Sequence, residues 1–466
     1  MAEYRRHEPE QTLLYRVVAA ELEGLRESLS SANPHSSGLP KHVENELEAY
    51  LRCGILAHGF ARVVCSRCRF EHLVAFSCKG RGICPSCTTR RMHDTAAHLV
   101  ERVLPRTPMR QWVATFPRRV RWHLASDPKL ASPALREVLR EIFAFQRRRA
   151  RKHGARPSRA NSNGAITFVQ RFNSALELSL HFHILIPDGV YLPNPWDPDA
   201  RPPFLALDPP TNDEVASLLD RIINRVVALL ERHGRFDGDD DDETPPPQMV
   251  LATQTAPGGT AFTEDPLPPR CARRDGFSLH AGAAADANDR RALERLCRYG
   301  LRPPLALCRL AEAPDGTIQY EMKRQFSDGR RVMRFTPREF VLRLCALVPP
   351  PGFHMVRYAG IFSAHARGRR ALTGRGMHDT PPPQSKPDAS PPSTPPLSPT
   401  PTREPRAADA SPPTSSLEYA VAPLTPRTAS TIILPDARDD GPDDAARGRR
   451  LTWSKLLKRV FGIDVL

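Results

Sequence analysis

At 466 residues the chain is long enough to bury at least one large hydrophobic core, and its net charge of +15 favours a polyanionic partner such as nucleic acid. No apolar run approaches the roughly 20 residues that cross a bilayer, and the N-terminus leads into no apolar signal sequence. Ten cysteines are too few for a disulfide scaffold, and five of them crowd between Cys65 and Cys87. These features argue against a membrane-spanning or disulfide-rich secreted protein and favour a basic protein of a reducing cytoplasm.

The first part of the chain predicts several amphipathic helices and one strand. Apolar residues at helical spacing predict helices over residues 10–31, 41–57, 88–104 and 133–152. The apolar stretch 111–116 predicts a strand that ends at Pro117. A cysteine-rich module at 63–87 separates the second helix from the third.

Two alternating runs, 166–172 and 176–186, predict a β-hairpin around Asn173–Ala175. In the second run every even position is apolar and covers a core, whereas His181 and His183 share the other, open face. Two imidazoles at positions i and i+2 can hold a divalent metal ion. A pair of surface histidines that binds no metal is the alternative.

The remaining elements alternate with segments of biased composition. Capping boxes of the form Thr-x-x-Glu predict helices at 211–233 and 336–348. Other predicted elements are a strand at 276–280, a helix at 288–299, a hairpin around 327–329 and a short helix at 451–466. The acidic run 238–247 predicts a solvated spacer, and the Pro-, Ser- and Thr-rich segment 377–425 predicts a disordered linker.

Two Cys-x-x-Cys pairs, fifteen residues apart, predict a four-thiolate structural zinc site. The predicted ligands are Cys65, Cys68, Cys84 and Cys87. Cys78 and His72 lie between the pairs and are the alternative ligands. Basic side chains after the second pair, among them Arg90 and Arg91, are candidates for contact with DNA phosphates. A zinc module that does not touch DNA is the alternative.

A metal site for phosphoryl transfer also needs a nucleophile, and tyrosine can form a covalent intermediate. Among eight tyrosines, Tyr299 lies on the last turn of a predicted basic helix. Arg298 and Arg302 flank this tyrosine and can stabilise a phosphate beside the phenol. Tyr358, which follows an arginine, is the second candidate, and simple packing of Tyr299 at a helix end is the alternative.

The order of two Cys-x-x-Cys pairs, His-Phe-His and Leu-Glu-Arg-Leu-Cys-Arg-Tyr resembles the rolling-circle transposases of the IS91-like insertion-sequence family, members of the HUH endonucleases. The segments that carry the resemblance are 53–60, 77–87, 181–191, 276–280, 299–306 and 451–466. The resemblance implies an α+β fold with an N-terminal helical and zinc-binding domain. A catalytic domain with a central antiparallel sheet flanked by helices would follow.

By that resemblance, His181 and His183 hold Mg²⁺ or Mn²⁺, and Tyr299 attacks a phosphate of single-stranded DNA. The products would be a 5′-phosphotyrosyl enzyme and a free 3′-OH. Gln170 and His280 are the candidates for a third metal ligand. The implied partners are single-stranded DNA, transposon ends, target DNA and a second protomer in a homo-oligomer, in a bacterial cytoplasm and next to the nucleoid.

The resemblance also suggests how the chain is divided. The predicted units are a helical and zinc-binding domain at 1–105, a catalytic domain at 106–375 with an insertion at about 237–270, a linker at 376–448 and a short helix at 449–466. Arg295 stands where two-tyrosine relatives carry their first tyrosine, so a single-tyrosine variant is predicted. Relatives continue beyond the position of Leu466 into another cysteine pair, so the chain is expected to be truncated. A plasmid replication initiator and a decayed, non-catalytic zinc-containing DNA-binding protein are the alternative functions.

Overall fold

The computed structural model describes most of the chain up to residue 373 and one later strand. The described residues are 8–31, 38–65, 71–158, 162–194, 197, 200–235, 267–323, 325, 329–366, 368–373 and 430–434. The predicted acidic spacer at 238–247, the linker core at 377–425 and the helix at 451–466 lie outside them. No helix in the described part is both long and apolar enough to span a bilayer.

Nine α-helices are found in the described part of the chain. They are α1 (Leu13–Ser31), α2 (Lys41–Leu51), α3 (Pro85–His98), α4 (Arg118–Ser126), α5 (Pro128–Lys152), α6 (Asn212–Glu231), α7 (Arg290–Leu301), α8 (Pro337–Leu347) and α9 (Arg369–Thr373). Both predicted capping boxes are confirmed: the hydroxyls of Thr211 and Thr336 accept the backbone N–H of Glu214 and Glu339. The predicted helix at 133–152 begins earlier, at Pro128, because Asp127 caps its first turn.

Fifteen strands are found among the described residues. They are β1 (Phe60–Cys65), β2 (Glu71–Ala75), β3 (Met109–Thr115), β4 (Gly164–Phe172), β5 (Leu178–Pro187), β6 (Gly189–Tyr191), β7 (Phe204–Ala206), β8 (Cys271–Arg274), β9 (Phe277–His280), β10 (Ala284–Ala285), β11 (Leu310–Glu312), β12 (Ile318–Glu321), β13 (Val332–Phe335), β14 (Val356–Gly360) and β15 (Ser430–Leu434). The central sheet has the order β14-β4-β5-β3-β9-β8, with β10 on β3, and every pair in it is antiparallel.

The central sheet is covered on both faces, so β5 is buried along its whole length. The even-numbered residues of β5, with Phe182 fully buried, pack on the side of α4, α5 and α6. On the other side, Phe168 and Leu185 pack against α3 and α7. The predicted α+β class and the hairpin are therefore confirmed, but the histidine face of β5 is not open as predicted. A helix covers it, and this helix carries Tyr299.

The N-terminal helices share a core with the part of the chain that carries the central sheet. Leucine and valine side chains of α1 and α2 pack in one cluster with Phe340 and Leu344 of α8. Arg81, next to the cysteine module, donates hydrogen bonds to the backbone carbonyls of Phe353 and Pro350. The cysteine module is thus fixed directly to the sheet domain.

One element falls in the segment predicted to be a disordered linker at 376–448. Residues 430–434 form strand β15, which pairs in parallel with β1, Val63 opposite Ile432. The segment contains consecutive isoleucines, which favour strands. These five residues therefore form a strand inside the predicted linker, and the rest of the segment lies outside the described residues.

Candidate functional site

The two histidines of β5 lie side by side beneath α7. Their ring centroids are 5.0 Å apart, and only 9% of His181 and 3% of His183 is exposed. Directly paired residues of an antiparallel sheet point to the same face, so Gln170 of β4, opposite His181, belongs to the same site. The register of β4 and β5 therefore brings one amide and two imidazoles together.

Burial keeps both imidazoles neutral near pH 7. Burial lowers the pKa of His181 to about 4, and it lowers the pKa of His183 well below the usual range. Nδ1 of His181 lies 2.8 Å from the carbonyl oxygen of Ser179, which can only accept, so Nδ1 carries the proton. The Nε2 lone pair of His181 is then available to a metal ion.

Two arginines give the site a positive potential. Arg302 and Arg121 both contribute, after burial, to the lowered pKa of His181. Arg121 lies on α4 and donates a hydrogen bond of 2.8 Å to the hydroxyl of Ser179. Arg121 carries no distinguishing signal in the sequence, because it lies at an arginine-rich helix start, so it was not among the predicted site residues. Two fixed cations beside neutral imidazoles suit a phosphate group.

Tyr299 is held against the histidine pair by the last turn of α7. Its ring centroid lies 5.3 Å from that of His183, and the guanidinium carbon of Arg302 lies 4.7 Å from the tyrosine ring centroid. The side chain is 46% exposed, so a substrate can reach the phenol. Of the tyrosines in the described part of the chain, Tyr299 is the one with a ring contact to either histidine.

The close approach of α7 to the sheet depends on Gly300. A Cβ at this position would lie 2.3 Å from Cδ2 and 3.1 Å from Cβ of Phe168 on β4. Gln170 strengthens the contact, because its Nε2 donates hydrogen bonds of 2.9 Å to the carbonyl oxygens of both Tyr299 and Gly300. The helix end that carries the tyrosine is thus locked to the strands that carry the histidines.

We expect Gly300→Ala to destabilise the protein by about 1–3 kcal/mol, because α7 must lift off Phe168. The free energy of unfolding, measured in urea, checks this. Gly24→Ala is the matched control: Gly24 lies inside α1 with nothing near its missing Cβ, so alanine should be neutral or stabilise by up to about 1 kcal/mol. Equal stability of the Gly300→Ala protein and wild type would contradict the close packing.

Three buried polar atoms of the candidate metal ligands have no hydrogen-bond partner. They are both ring nitrogens of His183 and Oε1 of Gln170. An unpartnered buried polar atom is costly, so such a group suggests a bound ligand. His280, the other candidate for the third ligand, lies on the same face, but its Nε2 is 3.4 Å from Sγ of Cys271. Gln170 is the better placed of the two.

The other predicted site residues lie on α7, α3 and β14. Arg298 lies 3.8 Å from Glu294 on the same helix, and burial together with Arg298 lowers the pKa of His93 on α3. Tyr358 lies on the edge strand β14 beneath Arg369. Arg90 and Arg91 are exposed on α3 beside the cysteine module. Contact of these arginines with DNA stays a prediction.

Four cysteine thiols meet at the N-terminal end of α3. Sγ atoms of Cys53, Cys78, Cys84 and Cys87 all lie within 4.8 Å of one another, and three of the separations are 3.4, 3.6 and 3.7 Å. Sulfur ligands of a tetrahedral zinc ion lie about 3.8 Å apart, whereas bonded sulfurs lie about 2.05 Å apart. Hydrogen bonds from the other three thiols lower the pKa of Cys87. The donor set therefore fits a structural zinc ion.

This clustered set differs from the predicted one. Cys84 and Cys87 belong to it, but Cys53 and Cys78 take the places assigned to Cys65 and Cys68. The β1–β2 hairpin explains the difference: its base, where Phe60 pairs with Ala75, adjoins Cys53 and Cys78. Cys65 lies at the far end of β1, about 17 Å along the strand at 3.3 Å per residue. Cys68 lies outside the described residues.

A signal for the clustered cysteines is present in the sequence. Glycines follow Cys53, which the prediction left out, and Cys78, as in Cys53-Gly54 and Cys78-Lys79-Gly80, and Gly54 has a positive φ of 81°. Backbone N–H groups of Cys78 and Gly80 point at Sγ of Cys53 and Cys78, each at 3.3 Å. Cys78 was the alternative ligand, and the other alternative, His72, is not among the four clustered groups.

Two known protein families match the chain, one over the cysteine cluster and one over the histidines and Tyr299. Residues 25–116, which include all four clustered cysteines, match the family described as "Transposase zinc-binding domain", and residues 164–370, which include both histidines and Tyr299, match the one described as "Putative transposase". No curated protein and no solved structure gives a significant match.

A zinc-binding module followed by this sheet domain defines a transposase, a class of DNA-processing enzyme. The two matches together span more than half of the chain, and the zinc-binding family is that of the IS91 transposases. The chain belongs to the IS91-like transposase family.

Proposed function

We propose that the protein nicks single-stranded DNA and transfers the cut strand through a 5′-phosphotyrosine, as the chemistry of rolling-circle transposition requires. The observation that carries this proposal is the contact between Tyr299 and His183, with Arg302 stacked on the same tyrosine ring. A nucleophile, a group of metal-ligand type and a phosphate-binding cation are thereby adjacent. Transposase family membership supports the same reaction class at a coarser level.

The residues fit a divalent metal ion. His181, His183 and Gln170 would hold it, since their side chains share one sheet face and three of their buried polar atoms have no partner. Bound there, Mg²⁺ or Mn²⁺ would polarise a phosphoryl oxygen. The neutral state of both imidazoles suits this role, because only an unprotonated ring nitrogen can coordinate a metal.

The protein's own side chains account for the remaining steps. The Tyr299 hydroxyl loses its proton as its oxygen forms a bond to phosphorus, the bond from phosphorus to the 3′ oxygen breaks, and that oxygen takes up a proton to give the free 3′-OH. Arg302 and Arg121 stabilise the charge on the phosphate. The phosphotyrosine retains the bond energy, so attack by a 3′-OH can later rejoin a strand. With one nucleophile, the enzyme reuses Tyr299 or acts with a second protomer.

We expect His181→Ala and His183→Ala each to lower metal-dependent cleavage roughly a hundredfold or more, because metal activation supplies several kcal/mol. The assay incubates the full chain with single-stranded oligonucleotides, a random pool or the element's ends, in Mn²⁺, and resolves products on denaturing gels. His280→Ala is the matched control, since His280 lies on the same face but contacts Cys271.

The third ligand is tested in the same assay with Gln170→Ala. A loss approaching that of the histidine variants would support Gln170, and an equal loss in His280→Ala would contradict the assignment.

Cleavage by wild type that is unaffected by a chelator would disprove the metal site. DNA binding without cleavage under any of these conditions would favour a decayed, non-catalytic binder. The division of the chain into units at 1–105 and 106–375 stays part of this proposal.

A further inference from the structure

The outer surface of α5 and α6 carries an arginine-lined groove that the catalytic site does not use. The groove has a volume of about 840 Å³ and contains six arginines, Arg140, Arg147, Arg148, Arg151, Arg221 and Arg225. Glu141 is the one acidic residue among those that line it, and alanines on both helices form part of its floor. The residues from each helix recur at helical spacing, so the groove runs along the two helices.

The two helices that form the groove run antiparallel. Arg225 of α6 lies 3.3 Å from Glu141 of α5. After burial, Arg221, one turn before Arg225 on α6, lowers the pKa of Arg148, which lies two turns after Glu141 on α5. From Arg140 to Arg151 the α5 wall extends about 16 Å at 1.5 Å per residue. This length corresponds to about five nucleotides of one strand of a duplex at 3.4 Å each.

The arginine charges in the groove are only partly compensated. Arg225 pairs with Glu141, and Arg140 lies 3.6 Å from Glu137. Arg148, Arg151 and Arg221 form no ion pair with any residue that the structure describes, and Nη2 of Arg148 is buried without a partner. Burial and then the neighbouring Arg221 lower the pKa of Arg148. Such repulsion is relieved by a bound polyanion.

The groove lies on the opposite side of the sheet from Tyr299. α5 and α6 pack on the even-numbered side chains of β5, whereas His181, His183 and Tyr299 lie on the odd-numbered side. A strand bound at the phenol is thus separated from the groove by the whole sheet. The groove must hold a different stretch of nucleic acid, or a different molecule.

We propose that the groove between α5 and α6 binds the phosphate backbone of duplex DNA, as a site separate from the catalytic one. A duplex is favoured over a single strand because none of the described residues that line the groove is aromatic, and single-strand sites stack bases on aromatic rings. Arginine forks match phosphate oxygens and carry no base readout by themselves, so the site binds DNA without sequence preference.

The test combines Arg148→Gln, Arg151→Gln and Arg221→Gln in the full chain. Binding of a fluorescent duplex of about 20 base pairs is measured by anisotropy from about 50 to 200 mM salt, with the matching single strand in parallel. We expect duplex affinity to fall roughly tenfold or more. The slope of log K against log salt should shrink by about 2 to 3, since each phosphate contact contributes about 0.9.

Two further variants separate the groove from net charge and from folding. Replacing the same three arginines by lysine keeps the charge and should largely restore duplex binding. Arg16→Gln, Arg331→Gln and Arg334→Gln remove the same charge from exposed ion pairs elsewhere and should change the salt slope much less. A thermal unfolding measurement on each variant checks that it is folded.

Four results would overturn the proposal. They are an unchanged duplex slope in the triple glutamine variant, an equal loss in the Arg16, Arg331 and Arg334 variant, a loss confined to the single strand, and a preference of the groove for duplex RNA over duplex DNA. The readout is binding, so it does not depend on whether the protein cleaves DNA.

Discussion

Tyr299→Phe is expected to abolish the covalent protein–DNA adduct, with a fall of at least about a thousandfold, because phenylalanine lacks the oxygen that attacks phosphorus. The phenylalanine ring keeps the contact with His183 and the stacking of Arg302, so the helix end should stay in place. The measurement is a denaturing gel of protein mixed with end-labelled single-stranded oligonucleotide in Mn²⁺. DNA binding by the variant should be close to that of wild type.

Tyr358→Phe is the matched control for this substitution. Tyr358 is similarly exposed, at 37%, and also lies beneath an arginine, but it occupies the edge strand β14. We expect the Tyr358→Phe protein to form the adduct normally. An adduct that survives in Tyr299→Phe and disappears in Tyr358→Phe would transfer the nucleophile role to the edge strand and would disprove the proposed site.

Cys53→Ser is expected to remove bound zinc and to unfold the N-terminal module. Structural zinc binding is linked to folding by roughly 10 kcal/mol or more in small zinc modules, so loss of one of four thiolates is severe. Since α1 and α2 share a core with Phe340 and Leu344, the sheet domain should also lose thermal stability. Zinc content by atomic absorption and thermal unfolding with and without a chelator measure both effects.

Cys65→Ser distinguishes the ligand set of the structure from the one that the cysteine pairs predict. Cys65 lies at the far end of β1 from the four clustered thiols, so its loss should leave one zinc ion per chain and the same melting temperature. Loss of zinc in Cys65→Ser, with zinc retained in Cys53→Ser, would restore the Cys-x-x-Cys assignment.

Local patterns determined most of the elements. Capping boxes at Thr211 and Thr336 placed the starts of α6 and α8, because side-chain caps act within one turn. Alternation placed β5 and put His181 and His183 on one face, because the strand period is two. Hydrophobic and capping signals of this kind depend on near neighbours in sequence, so they can be read without knowing the fold.

Contacts between residues that are distant in sequence were less predictable. Cys53 and Cys78 are 25 residues apart and are brought together by the β1–β2 hairpin. Their proximity depends on the pairing of these two strands, whereas the pair Cys65 and Cys68 is recognised from its short spacing alone. The sequence also left Gln170 and His280 equally eligible as the third ligand. Strand register and the contact between His280 and Cys271 separate them, and neither is visible in a local pattern.

The sequence by itself determined the element types, the basic charge, the histidine pair and the family motifs, because each is written in residue types and short spacings. Only the tertiary structure decided that α7 closes over the histidine face, that Gly300 lets Tyr299 approach His183, and that two helices align six arginines on the opposite side. Those contacts join residues more than a hundred positions apart, or whole helix faces. Packing and strand register fix such contacts, and these depend on the entire chain.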